Sequence, residues 1–192
     1  MKGLWTTGFS VPSILLAWSL VFQAAVPRGW SLAGSKAADY ESSIDLEAEY
    51  EHYASVFLRA KKPTVDGFGT LMQQFRADAY QGKRVRFCGF VKAGGLQDWA
   101  GLWMRVDKGT QMVAFDNMQD RPITGANGWQ NYEVVLDVPQ DATGIAFGIL
   151  LKGSGTVWLN HPQFEVVGNH IPTTGPGLHS STLGPTNLDF EN

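Results

Sequence analysis

Residues 99–138 read WAGLWMRVDKGTQMVAFDNMQDRPITGANGWQNYEVVLDV, three alternating runs separated by polar turns. In the first run Ala100, Leu102, Met104 and Val106 fall on one face, and Gly101, Trp103, Arg105 and Asp107 on the other. That period of two is the mark of a half-buried strand. The last run repeats it, with Tyr132, Val134, Leu136 and Val138 opposed to Asn131, Glu133, Val135 and Asp137. Between them FDNMQDRP gathers five polar or charged residues in one turn. The stretch reads as a β-meander and sets the fold class as all-β.

The rest of the chain extends this pattern in both directions. Downstream, residues 144–152 form a nearly continuous apolar run, expected of a central strand covered on both faces. Gly153, Ser154 and Gly155 follow as a turn, and the last strand, 156–167, is interrupted by Pro162, read as a bulge or an edge because proline cannot donate to the ladder. Upstream, 83–93 and 68–76 are strands by propensity and alternation, divided by a turn at Gly82. Earlier still lie a short run around Ile44 and a clearer one at 54–60. A helix competes there, because Leu46, Tyr50, Tyr53 and Phe57 have helical spacing and Glu47, Glu49 and Glu51 favour helix. Strands are the preferred reading. Eight or nine short strands with frequent turn signals describe an antiparallel β-sandwich, and at this size a jelly roll.

A chain of 192 residues with 44% apolar content supports one domain with a proper core once an N-terminal segment is set aside. Twenty-two glycines and nine prolines suit a sheet protein with many tight turns, and seven tryptophans point to a rich core or a stacking surface. A formal charge of −3 with dispersed Lys and Arg supplies no footprint for nucleic acid or an anionic membrane. Cys88 stands alone inside VRFCGFV, so no intrachain disulfide forms, and its reading is a buried, inert thiol. Residues 1–33 resemble a secretory leader, with Lys2 early, an apolar core from Val11 to Val26, and Ser31 and Ala33 at the −3 and −1 positions of a cleavage site. The protein is therefore expected to be secreted or periplasmic. The alternative is an N-terminal anchor, its only expected contact with a membrane. The sandwich is assigned to 39–168, and the Gly-, Pro-, Ser- and Thr-rich tail 169–192 is expected to be disordered.

DGFGTLMQQFRADAYQGKRVRFCGFVKA, WAGLWMRVD, FDNMQDRPITGANGWQNYEVVLDVP and GIAFGILLKGSGTVWLNHPQFEVV, with HYASVFLRA before them, resemble a galactose-binding-like jelly-roll module of bacterial proteins. Such modules are found beside helix-turn-helix regulators or as free-standing exported domains. The resemblance covers most of 39–167 and implies the fold rather than a function. This chain is read as leaving no room for a helix-turn-helix beyond the sandwich. In related jelly rolls the last strand commonly carries an Asp-Asp pair that helps hold a structural Ca²⁺, but here Asn160 and His161 stand at that place. Imidazole offers no hard oxygen ligand, so no metal or other cofactor is expected.

Carbohydrate-binding sandwiches stack aromatic rings on sugar faces and surround them with planar polar groups. Trp103 and Arg105 on one strand face, with Asp116, Asn117, Gln119, Asp120 and Arg121 in the neighbouring turn, are the candidate ligand-binding residues. Thr70, Gln73 and Gln74 would join them if their strand is a neighbour. The competing reading makes Trp103 core, pairs Arg105 with Asp116 or Asp120, and holds the turn by Asx-type hydrogen bonds. No catalytic constellation emerges. His52, His161, His170 and His179 are dispersed, and Glu133 and Asp137 stand about 14 Å apart at roughly 3.4 Å per residue, too far for a glycosidase pair. GSG at 153–155 is a hairpin turn, not a phosphate cradle. The expected function is non-catalytic binding of a saccharide or cell-surface glycan. The alternative is a structural or protein-interaction domain without a small-molecule ligand. Exposure of Trp103 separates the two.

Overall fold

The alternation of the decisive stretch survives in the computed structural model, which describes residues 26–175. Eleven strands occur in these residues: β1 (Ser31–Ala33), β2 (Tyr40–Tyr50), β3 (Tyr53–Ala60), β4 (Phe68–Arg76), β5 (Arg84–Gly94), β6 (Trp99–Lys108), β7 (Gln111–Asp116), β8 (Ile123–Thr124), β9 (Asn127–Asp137), β10 (Gly144–Lys152) and β11 (Thr156–Val167). They form two antiparallel sheets. The first runs β1-β4-β10-β6-β7 with β8 on the free part of β6, and the second runs β2-β3-β11-β5-β9. The expected antiparallel β-sandwich is the fold.

The core lies between the sheets because each contributes the apolar half of its alternation. Ala100, Leu102, Met104 and Val106 of β6 are fully buried, as are Ile145 and Leu151 of β10 and Val85 and Phe87 of β5. Strand β10 is central, between β4 and β6, as its unbroken apolar run required. Pro162 sits in a bulge: β11 pairs with β5 through Asn160 and resumes at Gln163. Central β11 tolerates proline there because the ladder is already interrupted. Cys88 is buried, and burial pushes its thiol above the usual range, the setting of an unreactive cysteine.

The stretch 99–138 is not a meander in one sheet, because β6 and β7 pair but β9 crosses to the second sheet and pairs with β5. Alternation specifies a strand's faces and says nothing of the sheet to which it belongs. The strands preferred over a helix at 46–57 are present, and Leu46 and Tyr53 of the helical spacing are exposed on β2 and β3. Cleavage after Ala33 would remove β1, which pairs with β4 from Ser31 to Ala33, and would detach Trp30 from its edge-on contact with Phe147. The domain therefore begins upstream of residue 39, while the apolar leader itself falls almost wholly in residues 1–25, outside the described residues.

At the other end, order continues past residue 168. Arg84 donates to the carbonyls of Asn169 and Ile171, and the Thr174 amide donates to the Val135 carbonyl at 2.9 Å. This strap runs along the free edge of β9, where Val135 is fully buried although its place in the alternation faces outward. The expectation of disorder from 169 is thus corrected for 169–175, and 176–192 lie outside the described residues.

Tyr40 of β2 ties the second sheet to the first. Its ring packs where Gly69 has no side chain, since a Cβ there would come within 2.4 Å of the ring. Its hydroxyl donates to the Gly153 carbonyl at 2.7 Å, with the Gly67 carbonyl 3.2 Å away. Burial pushes the phenol up to about 12. An unfolded tyrosine loses its proton near pH 10, whereas the folded one keeps it, so this contribution is complete below pH 10 and drains away as pH rises towards 12. Tyr40→Phe is expected to lower stability by about 1–2 kcal/mol at neutral pH, and the gap between the two proteins to narrow above pH 10. Urea titrations of both proteins between pH 7 and 11 check this, and a gap that widens above pH 10 counts against it.

Candidate functional site

The outward half of the same alternation builds a groove on the exposed side of the first sheet. In β6 it presents Trp103 and Arg105, in β4 Phe68, Thr70, Met72 and Gln74, and in β7 Phe115. The groove measures about 410 Å³. Strand β10 lies beneath it: Leu150 lines the groove, and Gly148 stands opposite both Trp103 and Met72. Gly148 packs so closely on β4 that a Cβ would lie 2.2 Å from the Leu71 carbonyl oxygen. With no side chain in the way, the Trp103 indole crosses β10, and its N–H donates to the Thr70 hydroxyl at 2.7 Å. Thr70 in turn donates to the Ile149 carbonyl at 2.9 Å.

This arrangement revises the role of Trp103. The residue is only 7% exposed and its single donor is satisfied within the sheet, so the indole is the floor of the groove and not a free stacking platform. The exposure test set by the sequence therefore falls on the side of a structural Trp103. Half-buried Phe68 and Phe115 are the rings available from the groove walls. They were missed because each lies at a strand end, where a single aromatic carries no periodic signal.

Arg105 carries the uncommitted polar chemistry. Its Nε donates to Asp107 at 3.0 Å, not to Asp116 or Asp120 as the competing reading had it, because Asp107 is the next residue on the same strand face. Among the described residues neither terminal nitrogen of Arg105 has a hydrogen-bond partner, and neither does the carboxamide of Gln74. Thr70 and Gln74 reach the groove although β4 and β6 are not neighbours. Gln73 opposes Phe147 and lies on the core side of its strand.

The polar turn does not join them. Asp116 is buried and bound to Arg121 through both terminal nitrogens at 3.1 and 2.6 Å, while its Oδ1 also accepts the Met118 amide at 2.8 Å. Arg121 also donates to Asp120 at 2.8 Å and to the Glu133 carbonyl at 3.2 Å, bridging the rims of the two sheets. The Asn117 Oδ1 accepts the Gln119 amide at 3.2 Å. None of Asp116, Asn117, Gln119, Asp120 or Arg121 lines the groove, so five of the seven candidate residues are supports of the turn. Short sequence distance suggested the grouping, but the turn folds back towards Gly101, where Met118 takes φ +59° and its sulfur accepts the Leu102 amide at 3.2 Å.

Among the described residues no three His, Cys, Asp or Glu side chains gather closely enough to hold a metal ion. No helix among them is long and apolar enough to cross a membrane.

No family model matches the chain. It is 43% identical over 167 residues to YbfP, an uncharacterised HTH-type transcriptional regulator of Bacillus subtilis (strain 168). The match takes in 85% of this chain and 57% of the regulator, so the chain spans little more than half of that relative. Among solved structures, the enzymatically active domain of bacteriophage CBA120 tailspike protein 4 superposes with a TM-score of 0.52 at 16% identity, over 73% of this chain and 20% of that one. The CBM22-1–GH10 modules of Clostridium thermocellum endo-1,4-β-D-xylanase 10B, complexed with xylohexaose, give 0.52 at 13% identity, over 73% and 26%. The Stig cyclase Fisc from Fischerella sp. TAU gives 0.51 at 11%, over 75% and 87%. The likeness is one of fold. One sandwich architecture serves all three neighbours, so the function of this chain rests on its own groove.

Proposed function

We propose that the groove on the first sheet binds a neutral saccharide, reversibly and without turnover. The observation that carries the reading is the pairing of planar donors without a protein partner, the two terminal nitrogens of Arg105 and the Gln74 carboxamide, with the half-buried rings of Phe68 and Phe115 in one groove. Vicinal hydroxyls take paired hydrogen bonds from such groups, and the apolar face of a sugar ring packs on aromatic edges. Asp107 balances the Arg105 charge, which favours a neutral glycan over an acidic one. The xylanase modules that share the fold were crystallised with xylohexaose, which supports the class of ligand without naming it. Export through the apolar leader belongs to this proposal, with any cleavage placed upstream of Trp30.

A glycan-array screen of the full chain, followed by titration of the best hit, tests the proposal. Arg105→Gln is expected to weaken binding at least tenfold and to move the melting temperature by less than about 4 °C, because a partly exposed ion pair contributes about 0–1 kcal/mol. Absence of any hit, together with a large melting drop for Arg105→Gln, supports the second reading. In that reading the sandwich is a protein-interaction domain, the use favoured by the buried, hydrogen-bonded Trp103.

A further inference from the structure

The opposite face of the sandwich carries a second set of uncommitted groups that the groove does not use. The β2–β3 hairpin leaves its register between Asp45 and Tyr50 and curls over the second sheet. Its tip crosses β11, so that Tyr50 packs on Phe90 of β5 at 4.3 Å between ring centres and on Trp129 of β9 at 5.7 Å. Asn160 of β11 fastens this tip, donating to the Tyr53 carbonyl at 2.7 Å and to the Ser55 hydroxyl at 3.0 Å. Beside it, the β11 bulge sets His161 and Pro162 against the single residue Gly89. His161 takes φ +48°, a left-handed conformation that strains a non-glycine residue, and its ring stands 5.1 Å from that of Tyr53. Bulges that re-aim a side chain recur at binding sites, and strain of this kind persists where the surroundings enforce it.

The bulge opens a pocket of about 230 Å³ lined by His161, Gln163, Asn131, Phe90, Cys88 and Arg86. Its charge is already spent: Arg86 donates to Glu165 at 2.6 Å and to Glu133 at 3.4 Å. Among the described residues the Asn131 carboxamide and the His161 imidazole have no hydrogen-bond partner, and Gln163 accepts only a long contact from the Cys88 thiol at 3.9 Å. Donors and acceptors without free charge, set against one aromatic ring, select a neutral polyol.

We infer that this pocket is a second binding site, for a single neutral sugar ring, on the sheet face opposite the groove. The ligand class rests on the saccharide reading of the groove, whereas the site itself rests on the bulge, the hairpin tip and the pocket they frame. Two sites on opposite faces let one molecule hold two glycan strands, and the avidity gained does not require either site to be strong.

The test is a ¹H–¹⁵N NMR titration of the full chain with D-glucose, D-galactose, D-mannose, D-xylose and N-acetyl-D-glucosamine, each taken to concentrations that saturate a millimolar site. At least one sugar is expected to shift the Cys88, Phe90, Asn131 and Gln163 amides saturably. Asn131→Ala, an exposed change, is expected to weaken those shifts at least tenfold with the melting temperature unchanged, and Arg105→Gln to leave them intact. No shift at these amides with any of the five sugars overturns the inference, as does equal loss in Arg105→Gln. Shifts on the second sheet with none around Trp103 and Arg105 would sink the groove proposal and leave this one standing.

Discussion

Trp103→Ala is expected to lower the stability of the domain by about 3–5 kcal/mol, the range for truncating a buried tryptophan. Its indole is only 7% exposed, crosses β10 at Gly148 and ends on Thr70, so its removal empties the floor of the groove and orphans a buried hydroxyl acceptor. Loss of glycan binding in this variant therefore reports unfolding. Trp103→Phe separates the roles. Phenylalanine retains a ring over Gly148 but cannot donate to Thr70, and the expected cost is about 1–2 kcal/mol, with glycan affinity kept within a few-fold. Urea unfolding paired with titration of the array hit checks both numbers. A Phe variant that is fully stable yet binds nothing would mean that the indole N–H serves the ligand and that the Thr70 bond is incidental.

What the sequence made legible follows from where burial is one-sided. Along β6, a slip of one residue would carry Leu102 and Met104 into solvent and Arg105 into the core, so the alternation fixes both the strand and its faces. Trp103 and Arg105 were correctly placed together because that logic is local. The partners were not legible, because they are set by pairing over long separations: Phe68 and Gln74 come from β4, across β10, some thirty residues upstream. The chemistry of FDNMQDRP misled for a related reason. A dense polar turn has the composition of a binding loop, yet Asp116 is one of the most deeply buried charged residues described, and its neighbours satisfy one another. Ser31 and Ala33 likewise suit a cleavage site and an edge strand equally well by residue type, and the pairing of β1 with β4 and the contact of Trp30 with Phe147 carry no signal in the local sequence.

Asp116→Ala is the counterpart of the Trp103 change, on the rim instead of the face. The carboxylate is 1% exposed and Arg121 is 34% exposed, so the pair is buried at one end and hydrated at the other. Breaking a fully buried pair costs about 3–5 kcal/mol, and the hydration left to Arg121 brings the expectation to about 2–4 kcal/mol. Part of that loss arises from the Met118 turn, whose φ of +59° is held by the Asp116 bond to its amide and whose sulfur caps Leu102. Asp116→Asn keeps the shape and the acceptor for Met118, so its cost is expected to be clearly smaller than that of Asp116→Ala. Because Asp116 lies outside the groove, the affinity of folded Asp116→Asn for the array hit is expected to match that of the unmodified chain. Calorimetric titration of this variant, at a temperature where it is fully folded, decides the matter. A tenfold loss of affinity there would return the polar turn to the binding site and move the ligand from the open face of the first sheet towards its β7 edge.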